Sequence, residues 1–96
     1  MTSKQRAILR KESNNLDPVY HVGKNGIDSA FIKGVNEALE SRELIKLAVQ
    51  DSSPLSAREA AGILAKELGA EPIQVIGRRF VLYKPNEEIN RYGADV

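Results

Sequence analysis

Two glycines separated by one lysine and one asparagine are the residues of this chain best placed to do chemistry. They lie in the run Val19-Tyr20-His21-Val22-Gly23-Lys24-Asn25-Gly26-Ile27-Asp28. Glycine lets a backbone turn sharply and come close to a partner. Lys24 adds a positive charge, and Asp28 opens a predicted helix whose first N–H groups aim at the same spot. Gly23, Lys24, Asn25 and Gly26 are therefore a candidate cradle for phosphate. The plain alternative is an Asn-Gly turn that only joins a strand to a helix. The spacing fits neither a Walker A loop nor a dinucleotide fingerprint, so nucleotide hydrolysis has no support.

A two-residue gap between glycines, in a loop before a helix, is also how KH domains clamp a nucleic-acid backbone. The basic residues favour that kind of partner. Lys4, Arg6, Arg10 and Lys11 stand on one predicted helix, Arg78 and Arg79 in a predicted hairpin, and Lys84 at its end. Acidic residues concentrate elsewhere, between Glu37 and Glu43 and at Glu87-Glu88. The chain carries 14 Lys and Arg against 13 Asp and Glu, so a nearly neutral total permits a dipolar surface with one basic face.

Catalysis lacks its usual parts. His21 is the only histidine, cysteine is absent, and no serine lies in a nucleophile-elbow pattern. Glu37, Glu40 and Glu43 have the spacing of a solvated helix face, and no metal-ligand cluster is visible. The expectation is a protein that is not an enzyme and uses no cofactor. Without cysteine there is no disulfide framework, which fits a reducing cytoplasm. No apolar stretch reaches the roughly 18 residues of a membrane span, and the first residues lack the apolar core of a signal peptide. A soluble, cytoplasmic, monomeric protein is expected.

The elements that position these residues can be read along the chain. Ser3 to about Asn14 predicts a helix, with Lys4, Arg6, Arg10 and Lys11 opposite the side holding Ile8, Leu9 and Leu16. Asp17-Pro18 prevents its continuation, and Val19 to Val22 predicts a strand. Asp28 caps a second helix to about Ser41, whose apolar stripe includes Gly34, a position suited to close helix–sheet packing. Glu43 to Val49 alternates, with Ile45, Leu47 and Val49 on one buried face. Ser56-Ala57-Arg58-Glu59 is a capping box for a third helix to about Leu68, stopped by Gly69. Glu71 to Ile76 and Arg79 to Lys84 predict two strands joined by the two-residue turn Gly77-Arg78. The order αβαβαββ implies an α/β fold of two layers, with helices covering one face of a mixed four-stranded sheet. Residues 1–85 form one domain on this reading, and residues 86–96 a loose tail.

The order of these pieces resembles the YhbY family, the small bacterial stand-alone members of the CRM (chloroplast RNA splicing and ribosome maturation) domain group. The resemblance rests on Lys4-Gln5-Arg6 with Leu9-Arg10, Val19 to Gly26, Glu43-Leu44-Ile45-Lys46, Gln74-Val75-Ile76-Gly77-Arg78, and Val81-Leu82-Tyr83-Lys84-Pro85. It covers roughly residues 3 to 85, and its distinctive parts are the Val-Gly-Lys-Asn-Gly loop and the Ile-Gly-Arg hairpin. It implies an RNA-binding domain with the fold of the C-terminal domain of bacterial translation initiation factor three. It also implies association with precursors of the large ribosomal subunit. The GxxG loop of the family maps to Gly23, Lys24, Asn25 and Gly26, and its basic first helix to Lys4, Arg6 and Arg10. One departure is Asp17 before Pro18, where relatives often carry a basic residue.

The reading is an RNA-binding protein associated with large-subunit assembly. It would contact ribosomal RNA through the loop and through Lys4, Arg6, Arg10, Arg78, Arg79 and Lys84. A protein-interaction module docking on a ribosomal protein or assembly factor is the alternative, and a small-anion binder using only the glycine loop is a third reading.

Overall fold

A computed structural model describes residues 1–89 and Tyr92. Its elements follow the predicted order: α1 (Ser3–Ser13), β1 (Pro18–Val22), α2 (Ser29–Arg42), β2 (Leu44–Val49), α3 (Ala57–Leu68), β3 (Glu71–Ile76) and β4 (Arg79–Tyr83). The sheet is four-stranded and mixed, in the order β1-β2-β4-β3. β1 runs parallel to β2, while β4 lies antiparallel to both β2 and β3. β1, β2 and β3 therefore point the same way, as two crossovers and a terminal hairpin require. Among the described residues, no helix is long and apolar enough to cross a membrane.

Local chemistry accounts for most of the boundaries. Thr2 caps α1 by accepting from Gln5 N at 3.1 Å. The capping box of α3 is complete: Ser56 Oγ accepts from Glu59 N, and Glu59 Oε1 accepts from Ser56 N. Gly34 permits a close approach of α2 to the sheet, since a Cβ there would lie 2.8 Å from Tyr20 Oη.

The helices do not all lie on one face, which corrects the two-layer expectation. α2 and α3 cover the face bearing Val22, Ile45, Leu47, Phe80 and Leu82. α1 covers the other face, where Leu9 packs in a second cluster with Leu44, Ile73, Val81 and Tyr83. Alternation along β2 is consequently masked, because α1 buries Leu44 on this face, and Ala48, outside the α1 cluster, is itself only 8% exposed. The inward stripe of α1 is Gln5, Leu9 and Ser13, two of them polar, so apolar periodicity alone understates its burial. Ser13 Oγ satisfies itself by donating to Leu9 O at 2.6 Å.

Glu43, predicted to open β2, instead ends α2 with a left-handed φ of 65° and is fully buried. Its N–H donates to Leu39 O, its carbonyl accepts from Lys84 N, and its Oε2 accepts from Asn86 N at 2.8 Å. Asn86 Nδ2 also donates to Glu40 O, and the Tyr92 ring meets that of Tyr83 edge-on at 6.3 Å. These parts of the expected loose tail thus touch the fold. Residues 90, 91 and 93–96 lie outside the described residues.

Tyr83 Oη is buried and has no hydrogen-bond partner among the described residues. Burial, and then the charge of Glu43, raise its ionisation above the ordinary tyrosine range. The neutral phenol's contribution to stability is complete below the unfolded-state value near pH 10 and is lost as pH rises through the folded one. Tyr83→Phe is expected to leave neutral-pH stability unchanged or up to about 1 kcal/mol higher, since it removes a group that lacks a partner. It should also abolish the alkaline loss. Urea unfolding at neutral pH and near pH 10.5 measures both, and a destabilisation of about 2 kcal/mol would mean that the hydroxyl is bonded.

Candidate nucleic-acid interface

The glycine loop follows directly from the last residue of β1. Gln50 N donates to Val22 O at 2.9 Å, which anchors the loop's start to the residue after β2. Gly26 N donates to Gly23 O at 3.0 Å, closing a turn with Lys24 and Asn25 at its corners. Neither corner residue has positive φ, whereas Gly26 sits at +66°. That is the pattern of a type I turn followed by a left-handed glycine. Gly23 lies against Gln50, whose Oε1 would be 3.1 Å from a Cβ at that position. An open depression of about 410 Å³ lies here, lined by Gly23, Lys24, Asn25, Gly26, Gln50 and Ser52 among others.

The start of α2 contributes less than its position suggests. Asp28 Oδ1 accepts from Phe31 N at 2.8 Å, so one helix N–H is already satisfied and a carboxylate stands at the rim of the depression. Lys24 is exposed, and its side chain has no ion pair among the described residues.

Because β1, β2 and β3 run in one direction, the segments that follow them share one end of the sheet. The glycine turn, the Gln50–Ser53 connection and the Gly77-Arg78 hairpin all lie there. Gly77 takes the left-handed conformation, with φ of +59°, and Arg78 O accepts from Val49 N at 2.8 Å. Arg78 pairs with Asp51, an acidic neighbour that charge clustering along the sequence did not reveal. Arg79 opens β4 at this end and is exposed.

The other sequence-derived cations are distributed differently. Arg6 is held at the opposite end, where Nη2 meets Glu71 Oε1 at 2.5 Å and Nη1 donates to Pro72 O at 3.2 Å. Lys84 follows the last residue of β4 at that far end. Lys4 and Arg10 are exposed on α1, over the half of the sheet that holds Leu44 and Tyr83. The fold therefore gathers Gly23 to Gly26 with Arg78 and Arg79, and sets Arg6 and Lys84 apart from them.

The sequence model of the CRS1/YhbY (CRM) domain matches residues 1–84. The chain belongs to the CRS1/YhbY (CRM) domain family. As a CRM domain, it is 39% identical over 88 residues to YqeI of Bacillus subtilis, named a probable RNA-binding protein, with 92% of each chain covered. It is 36% identical over 96 residues to a protein of Methanocaldococcus jannaschii also named a probable RNA-binding protein, covering 98% of this chain and 71% of the other. The solution structure of a Staphylococcus aureus protein proposed to bind RNA superposes with a TM-score of 0.74, at 37% identity and 90% coverage of each chain.

Within the glycine turn of this CRM domain, Gly26 is the residue whose positive φ disfavours a side chain. Gly26→Ala is expected to cost about 1–2 kcal/mol in urea unfolding, because an L-residue is strained at positive φ. Arg6→Ala, which removes a half-exposed pair with Glu71, should change stability by about 1 kcal/mol or less.

Proposed function

We propose that this chain is an RNA-binding module, without catalytic activity, that acts in assembly of the large ribosomal subunit. The observation that carries the reading is the Gly23–Gly26 turn with an exposed Lys24 that makes no ion pair among the described residues, set beside Arg78 and Arg79 at one end of a CRM domain. The names of its relatives as RNA-binding proteins point the same way.

The turn lets RNA phosphates approach its backbone closely, and Lys24 follows them as a mobile charge. Arg78 is exposed even while paired with Asp51, and a pair of that kind is worth little in water, so a phosphate can take the place of the carboxylate. Lys4 and Arg10 extend the positive surface along α1, and Lys84 adds charge at the far end of the sheet, where Arg6 contributes only by exchanging its pair with Glu71 for a phosphate. Phe80 and Tyr83 are buried, and Tyr20 stands edge-on to Phe31 with ring centroids 5.7 Å apart. Phosphate and shape recognition therefore dominates over stacking on large aromatic rings. The partner is large-subunit ribosomal RNA or its precursor, and the protein works as a cytoplasmic monomer.

Binding of structured large-subunit RNA fragments across a salt series tests the reading. If about six cations meet phosphates of unpaired RNA, log Kobs should fall with log[salt] at a slope of about −4. Lys24→Ala should weaken binding about three- to tenfold and flatten the slope by about 0.7. Binding that is absent, or indifferent to salt, would favour docking on a ribosomal protein or assembly factor instead.

A further inference from the structure

α1 covers only part of its face of the sheet. Cross-strand register places His21 beside Ala48, Ala48 beside Arg79, and Arg79 beside Ile76, a row that crosses all four strands. The row lies on the same face as Leu44, Val81 and Tyr83, but beyond the cluster that Leu9 of α1 buries. His21 and Arg79 are exposed, and Ile76 is 64% exposed. Neither the imidazole nor the Arg79 guanidinium has a hydrogen bond or ion pair among the described residues, and the row contains no acidic side chain. Lys46 stands in the next row, beside Val81.

We propose that this row is a stacking floor for unpaired RNA bases. The proposal rests on the RNA-binding reading above and names the kind of RNA preferred, a single strand. His21 is two residues before Gly23, and Arg79 directly follows the Gly77-Arg78 turn. An RNA strand whose phosphates rest on the glycine turn therefore needs to reach only about two strand residues, roughly 7 Å, inward to lay its bases on the row. Imidazole and guanidinium planes both accept a stacked base. Strands about 4.8 Å apart put His21 and Arg79 roughly 10 Å from one another, with the small Ala48 between them. That span accommodates a base against each plane, and Ile76 offers apolar contact at the edge. A duplex keeps its bases within its own stack and cannot use such a floor.

The test compares a short mixed-sequence single-stranded RNA with a duplex of the same sequence, by fluorescence anisotropy. Wild type, His21→Ala, Arg79→Lys and Lys24→Ala are measured. Arg79→Lys preserves charge, so it is expected to keep the salt slope while losing about fivefold or more in single-strand affinity, with duplex binding unchanged. His21→Ala should act on the single strand in the same selective way, whereas Lys24→Ala should weaken both RNAs. In wild-type amide spectra, His21, Ala48, Arg79 and Ile76 should shift on adding the single strand, a readout that does not depend on any variant folding. Unchanged single-strand affinity in both row variants, equal losses on both RNAs, or silent row amides would overturn the stacking floor. A Lys24 effect alongside those results would leave the RNA-binding reading intact. Failure of wild type to bind either RNA would overturn both.

Discussion

Burial of the β2–β4 pair on both faces is the constraint on which the rest of this structure depends. These two strands supply Leu44, Ile45, Leu47, Phe80, Val81, Leu82 and Tyr83, all nearly inaccessible to solvent. Strands buried on both sides need cover on both sides, because each apolar side chain left in water forfeits about 1.5–3 kcal/mol. Two helices meet that need on one face and a single eleven-residue helix on the other. The asymmetry has a consequence: one helix cannot cover four strands, so His21, Arg79 and Ile76 stay exposed on the α1 face. They adjoin the end of the sheet where the glycine turn and the hairpin lie.

The same constraint explains the treatment of polar groups inside. Glu43 is a buried acid at a backbone angle that disfavours any residue but glycine. Its backbone and carboxylate hold the end of α2, the residue after β4 and Asn86 together. A glycine would relieve the angle but could not bond Asn86 N. The strain and the burial are tolerated because the position joins three segments at once. At the other end of the sheet the logic reverses, and charges are left exposed. Lys24 and Arg79 make no ion pair among the described residues, and Arg78 makes an exposed one. One end of the sheet joins segments of the chain, and the other leaves Lys24, Arg78 and Arg79 exposed.

Much of this was legible in the residues. Periodicity and capping chemistry marked all seven elements, since Asp28, Ser56 and Glu59 act within one turn of the helices they begin. Gly34 was legible as a packing glycine, and Gly77-Arg78 as a two-residue turn, because both properties are local. The layer count was not legible. Alternation in β2 reports one buried face only while the other is wet, and here Leu44 and Ala48 are buried too. Nor did α1 declare itself as a core helix, since Gln5 and Ser13 fill two of its three buried positions.

For the candidate site, the sequence by itself determined the glycine turn, its lysine and the list of cations, because glycine conformation and side-chain charge belong to the residues. The tertiary structure decided which cations are neighbours. Arg78 and Arg79 join the turn because three strands run in parallel and end together, while Arg6 is drawn to Glu71, 65 residues away in the chain. It also decided that His21, Ala48, Arg79 and Ile76 form one row, through pairing between strands that no linear spacing encodes. Charge is a property of a residue, but a surface is a property of the register in which strands pair.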